Sequence, residues 1–151
     1  MFFSKSTNGT NIGSIGSSIF SMVGFSNTGG NSTTTTNNGT VQCVANGSTV
    51  YNLTNIVLTP GTWIITNNCN MQGIVNGWTQ HSISTTSNII DSACVFTINN
   101  NYGYVNTEFN LTRILTVSSN TTVYATCRIA HADDLWQTRP CFARLTTLKI
   151  V

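Results

Sequence analysis

Few side chains in this sequence could act as a catalytic acid or base. The histidines and acidic residues are His81, His131, Asp91, Glu108, Asp133 and Asp134. Nucleophilic catalysis needs a hydroxyl or thiol beside a base that a third group orients. Ser82 and Ser84 lie near His81, but on a predicted strand neighbouring residues point to opposite faces. These groups do not converge, so we expect no catalytic residues and no enzyme activity.

Two groups of residues have side chains of the types that bind metal ions. The segment "HADD" at 131–134 could bind a cation, but the tip of a polar hairpin explains it equally well. The cysteines are scattered, without a CxxC pair or a histidine at zinc spacing. They are Cys43, Cys69, Cys94, Cys127 and Cys141. We predict buried free thiols, no metal ligand and no cofactor; Cys127 and Cys141 could also face each other on neighbouring strands.

The charge content points away from several classes of partner. Only 7% of the residues are charged, against roughly 25% in ordinary soluble domains. The net charge of +2 includes no Lys/Arg run, so we expect no nucleic acid partner. No stretch approaches the ~20 apolar residues of a membrane span, and the beginning of the chain lacks the apolar core of a secretory signal. Such a weakly charged surface suits a part of a large assembly.

From Val41 onwards the pattern is that of β-strands. Short Val/Ile/Thr/aromatic runs alternate with Gly, Asn, Pro or Asp clusters, which predicts about eight strands and an all-β antiparallel sandwich over 41–151. In "TTVYATCRIA" one face carries Val123, Ala125, Cys127 and Ile129. The opposite, wet face carries Tyr124, Thr126 and Arg128, which are candidate subunit-interface residues. In the last strand, Leu145 and Leu148 are out of phase, which predicts a bulge at 146–147.

Residues 1–40 differ in composition and are predicted to be an extended N-terminal arm and linker. Apolar residues recur there at helical spacing on a Gly/Ser background, which is typical of a peptide that becomes ordered on docking. A solvent-exposed tail is the alternative. The candidate anchor residues are Ile12, Ile15, Ile19, Phe20, Val23 and Phe25.

Aromatic residues beside polar loops could form a surface for recognising a sugar. Trp63 follows a Pro-Gly turn and is expected to fill the core, whereas Trp78 could lie in the core or at the surface. The candidate recognition residues are Tyr102, Tyr104, Asp133, Asp134 and Trp136.

Four segments together resemble a known group of proteins. In order they are "VLTPGTWIITNNCNMQG", "SISTTSN", "TRILTVSSNTTVYATCRIA" and "CFARLTTLKIV". They resemble small virion-associated proteins of tailed phages and other double-stranded DNA viruses, over about residues 50 to 151. The resemblance implies a TNF-like jelly roll that assembles as a homotrimer at a fibre tip, a spike or a capsid surface. It implies no catalytic residues. The five cysteines and the apolar arm depart from the pattern.

The residues and the resemblance together predict a viral structural protein. It would be a capsid decoration protein, a minor capsid protein or a fibre or spike head, located in the virion. The arm would attach it to other capsid or virion proteins. The alternative is a lectin-like receptor-binding head that recognises host-surface glycans. A secreted adhesin or pilin-like subunit is a third hypothesis.

Overall fold

The computed structural model describes residues 34–74, 77–100, 105–131 and 138–150. This part of the chain is all β. Its eight strands are β1 (Thr34–Val44), β2 (Tyr51–Leu58), β3 (Gly61–Ile74), β4 (Gly77–Ser84), β5 (Val95–Asn100), β6 (Val105–Val117), β7 (Thr121–His131) and β8 (Thr138–Lys149). No helix among the described residues is long and apolar enough to cross a membrane.

The strands form two four-stranded antiparallel sheets. Sheet A has the order β1-β8-β3-β6 and sheet B the order β2-β7-β4-β5. The first strand pairs with the last, the second with the seventh, the third with the sixth and the fourth with the fifth. This nested pairing is the jelly-roll form of a β-sandwich. The predicted all-β antiparallel sandwich is therefore confirmed.

The core lies between the inner faces of the two sheets. In β7 the predicted inward residues Val123, Ala125, Cys127 and Ile129 are all fully buried. Trp63 is 4% exposed, and its indole nitrogen donates to the carbonyl of Thr59 at 2.9 Å, so its predicted core position is confirmed. The turn before it depends on Gly61, whose φ of 142° lies in a region that side chains disfavour.

Two details differ from the sequence-based expectations. Residues 34–40, which the composition assigned to the linker, form the first part of β1 and pair with β8. The predicted bulge at 146–147 is wrong, because β8 keeps one register against both β1 and β3. Thr147 is buried instead, and Leu148 lies on the outer face opposite Ile64.

At one edge of the sandwich, β1 of sheet A lies close against β2 of sheet B. A Cβ atom added to Gly39 would lie 1.8 Å from the carbonyl oxygen of Leu53. Only glycine allows this approach without a backbone shift. Residue 39 therefore sets the spacing of the sheets at this edge of the sandwich.

Candidate functional site

The structure describes one of the three predicted groups of site residues. The N-terminal anchor residues all lie before Thr34, outside the described part. The recognition residues Tyr102, Tyr104, Asp133, Asp134 and Trp136 fall in the gaps at 101–104 and 132–137. The remaining group is Tyr124, Thr126 and Arg128 on the outer face of β7.

The expectation of a wet face along β7 is wrong for Thr126. This side chain is fully buried, whereas Tyr124 and Arg128 are half-buried. The Thr126 hydroxyl lies 2.6 Å from the Ser82 hydroxyl and donates to the carbonyl of Ile89 at 3.1 Å. The chain after β4 therefore covers the centre of the outer face of sheet B, and Thr126 cannot contact another subunit while this segment stays in place.

We call residues 85–94 the covering segment. Its backbone is tied to sheet B at two positions: the amide of Asp91 donates to Ser82 Oγ at 3.1 Å, and the Asn52 side chain accepts from the amide of Asn88 at 2.8 Å. Ser82 lies on the opposite face of β4 from His81, which is why the two cannot act as a nucleophile and its base. The motif "SISTTSN" is thus explained as a structural corner.

An ion pair joins the covering segment to sheet A. Arg113 of β6 contacts Asp91 Oδ2 at 2.6 Å and also donates to the carbonyl of Ile83 at 2.6 Å. The Ala93 amide donates to Asp91 Oδ1 at 2.9 Å. The Ala93 hydrogen bond and, after it, the Arg113 hydrogen bond lower the pKa of the Asp91 carboxyl below its ordinary value. Asp91 is therefore part of a link between sheets and not a free general base.

Beside the covering segment, the outer face of sheet B carries a polar and aromatic group. The Arg128 guanidinium lies 5.2 Å from the ring centroid of Trp78 and donates a hydrogen bond to the Gln80 side-chain oxygen. Gln80 in turn donates to Thr97 at 3.2 Å. These contacts hold Arg128 against its own subunit, so an approaching partner would meet an ordered surface.

The outer face of sheet A is built differently. Its side chains form cross-strand rows, in which residues from neighbouring strands lie side by side. One row consists of four threonines, Thr36, Thr146, Thr66 and Thr112. The next consists of Asn38, Arg144, Asn68 and Asn110. Hydroxyl and amide groups therefore replace charges over most of this face.

An apolar row crosses the same face. Ile64 of β3 lies opposite Leu148 of β8 on one side and Ile114 of β6 on the other. Ile114 is 66% exposed, the largest value among the exposed large hydrophobic side chains of the described residues. No described segment of the chain covers this row, because the covering segment lies on sheet B. Ile64 and Leu148 are half-buried, and a partly exposed apolar row within a polar face is typical of a contact surface.

Inside the sandwich, three thiols meet. Cys43 (β1), Cys127 (β7) and Cys141 (β8) are fully buried, and their sulfur atoms all lie within 4.8 Å of one another. The Cys127 and Cys141 sulfurs are 3.7 Å apart, so these two residues do face each other, but across the core from different sheets and not on neighbouring strands as expected. Nε2 of the fully buried His81 lies 3.6 Å from the Cys127 sulfur. The prediction of buried free thiols holds for four cysteines, and Cys94 is half-buried.

The protonation of this cluster follows from burial and mutual hydrogen bonding. Hydrogen bonds from Cys127 and Cys141 lower the pKa of the Cys43 thiol to about 5. The hydrogen bonds with Cys141 and Cys43, together with burial, raise the pKa of Cys127 well above its ordinary value. Burial lowers the pKa of His81 to about 3, so its imidazole is neutral near pH 7.

The fold and these surfaces define an all-β jelly-roll protein. Comparisons with known proteins find structural similarities to chains of solved structures. No protein-family model matches the chain, and no curated protein matches it. A chain of Bacillus endospore appendages, titled a novel family of disulfide-linked pili, is 9% identical with a TM-score of 0.39, and the match covers 81% of this chain and 93% of that one. A chain of the acid-stable capsid of Helicobacter pylori bacteriophage KHP30 is 14% identical, with a TM-score of 0.40. The match covers 80% of this chain and 95% of that one.

Proposed function

We propose that this chain is a non-enzymatic structural protein of a virion that assembles as a homotrimer. Its role would be capsid decoration, a minor capsid position or the head of a fibre or spike. The N-terminal arm, with Ile12, Ile15 and Ile19 among its apolar residues, would attach it to other virion proteins. The likeness to a bacteriophage capsid chain has too low a TM-score to support this role.

One observation carries the proposal: within the described part of the chain, the outer face of sheet A has no covering segment, bears few charges and is crossed by the Ile64–Leu148–Ile114 row. Removing hydroxyl and amide groups from water costs less free energy than removing charged groups. These groups can also form hydrogen bonds with a second copy of the chain. An apolar row within them supplies the surface that association removes from water. This combination supports a subunit contact better than it supports a face in contact with water alone.

The structure changes which face we place at the centre of that contact. Because Thr126 is buried, the β7 face offers only Tyr124 and Arg128 to a partner. The sheet A face offers four continuous strands. We therefore propose the sheet A face as the principal contact, and Tyr124 and Arg128 stay a prediction as peripheral interface residues.

The experiment is the solution mass of the full-length chain and of two lysine variants, measured by multi-angle light scattering. We expect a trimer for the unchanged chain, and dissociation for Ile114→Lys because a charge in the apolar row must be desolvated. Val57→Lys is the matched control, since Val57 is 59% exposed on sheet B. A monomeric unchanged chain would reject the trimer, and a trimeric Ile114→Lys variant would reject the sheet A face.

The attachment role of the arm is tested with the same measurement. The shortened chain should begin after Asn31, because removing residues 34–40 would delete half of β1. If the shortened chain remains trimeric, the sandwich holds the trimer and the arm is free for attachment. If it is monomeric, the arm holds the trimer, and the proposed attachment is wrong.

A further inference from the structure

Three thiols and an imidazole converge inside the sandwich from four different strands. Cys43 and Cys141 come from neighbouring strands of sheet A, where Cys43 lies opposite Arg139 and Cys141 opposite Val41. They are therefore diagonal neighbours on the inner face. In sheet B, His81 lies directly opposite Cys127. Each sheet thus contributes one pair of donor groups, and the two pairs face each other across the core.

Two distances within this group match those of a tetrahedral metal site. With Zn–S of about 2.3 Å and Zn–N of about 2.0 Å, tetrahedral geometry separates two sulfur ligands by about 3.8 Å and a sulfur from a nitrogen by about 3.5 Å. Cys127 and Cys141 are separated by 3.7 Å, and Cys127 and His81 Nε2 by 3.6 Å. The Cys43 sulfur lies within 4.8 Å of the other two sulfurs, so the side chains would have to rotate inward to bring all four donor atoms around one ion.

We propose that Cys43, Cys127, Cys141 and His81 form a structural zinc site that joins the two sheets. The donor set of three thiolates and one imidazole is one that zinc prefers. With four protein ligands no coordination position remains for water or substrate, so the site is structural and not catalytic. On binding, the thiols that still carry a proton release it to solvent while three Zn–S bonds and one Zn–N bond form, and no oxidant or reductant is needed.

Two other readings of the cluster explain less. A Cys127–Cys141 disulfide requires the sulfurs to move from 3.7 Å to about 2.05 Å, and it leaves Cys43 and His81 without a role. Ordinary core thiols are common, but an imidazole is a poor filler of an apolar core, and here its Nε2 faces a thiol. In a zinc site, all four groups act as ligands. It would also stabilise the sandwich, since metal binding to the folded state adds directly to folding free energy.

The test uses the full-length chain, expressed with zinc in the medium and purified under reducing conditions without chelator. We expect one zinc ion per chain by inductively coupled plasma mass spectrometry. Replacing zinc with Co²⁺ should give the thiolate-to-cobalt charge-transfer band and the intense visible bands of a tetrahedral site. Zinc removal with a strong chelator should lower the thermal midpoint by about 10 °C or more.

Single substitutions test which residues bind the zinc ion. Cys141→Ser and His81→Asn should each reduce the zinc content and weaken the cobalt charge-transfer or visible bands. Cys94→Ser is the control, because Cys94 is a half-buried thiol outside the cluster. If a ligand variant fails to fold, titration of the unchanged chain with an organomercurial should release one zinc ion as the thiols react.

Three results would overturn the site. The first is folded, unchanged chain that contains no zinc and gives no cobalt spectrum. The second is an intact mass lower by two hydrogen atoms, with Cys127 and Cys141 linked in the peptide map. The third is full zinc content in the Cys141→Ser variant. Each is independent of the oligomeric state, so the zinc site and the proposed trimer can fail separately.

Discussion

The two sheets of this sandwich have similar inner faces and different outer faces. Sheet B is covered at its centre by residues 85–94, which bury Thr126 and Ser82 and bind Arg113 through Asp91. Sheet A has no described cover, and its rows of threonine and asparagine surround an exposed isoleucine. The difference shows that one side of the fold buries its polar groups within the chain. The other pairs some of them across strands, as Thr36 with Thr146 and Asn70 with Glu108, on a surface that stays exposed.

The largest expected effect comes from disrupting the edge where the sheets meet. Gly39→Ala should destabilise the fold by about 3 kcal/mol or more, because its Cβ would lie 1.8 Å from the Leu53 carbonyl oxygen and backbone would have to shift. Urea unfolding followed by circular dichroism measures this. Asn38→Ala, at the exposed neighbouring position of β1, should change stability by no more than about 0.5 kcal/mol. Equal effects for both variants would show that the close approach is not required.

A matched pair of threonines tests the comparison of the outer faces directly. Thr126→Val keeps the side-chain shape but leaves the Ile89 carbonyl and the Ser82 hydroxyl without their partner, and should cost about 2 kcal/mol. Thr112→Val removes an exposed hydroxyl of the threonine row and should cost less than about 0.5 kcal/mol in the separated subunit. Chemical denaturation of both variants measures these two losses in the free energy of unfolding. A small cost at Thr126 would mean that the covering segment does not depend on that hydroxyl.

The smallest expected effect concerns the Asp91–Arg113 link. Asp91→Asn should cost about 1 kcal/mol near neutral pH, because the pair is partly exposed and screened by solvent. The pKa of Asp91 is lowered in the folded chain, so its contribution is present above the ordinary value of 3.8 and is lost as the pH falls through the folded value.

Stability measured from pH 7 down to pH 2 should therefore show this acid-dependent loss in the unchanged chain and a smaller one in Asp91→Asn. Parallel curves for the two proteins would show that Arg113 and Ala93 do not stabilise the Asp91 carboxylate.

Much of the fold could be predicted because its signals are local. Eight Val/Ile/Thr/aromatic runs separated by turn residues correspond to the eight strands of the described chain. The inward set of β7 followed from simple alternation. Local signals failed where polar residues form a strand: "TTTNNGT" at 34–40 has the composition of a linker, yet pairs with β8 as part of β1. Strand pairing satisfies the backbone of such a segment whatever its side chains are.

The site residues were less predictable, because they depend on contacts between distant parts of the chain. The sequence alone determined an all-β chain of low charge, with Cys127 facing inward and Cys141 as its possible neighbour. Only the tertiary structure decided that Cys43 and His81 join them, that residues 85–94 cover Thr126, and that Ile114 lies on an open face. The physical reason is that alternation assigns a residue to a face of its own strand, whereas the order and register of the sheets decide which residues meet across the core.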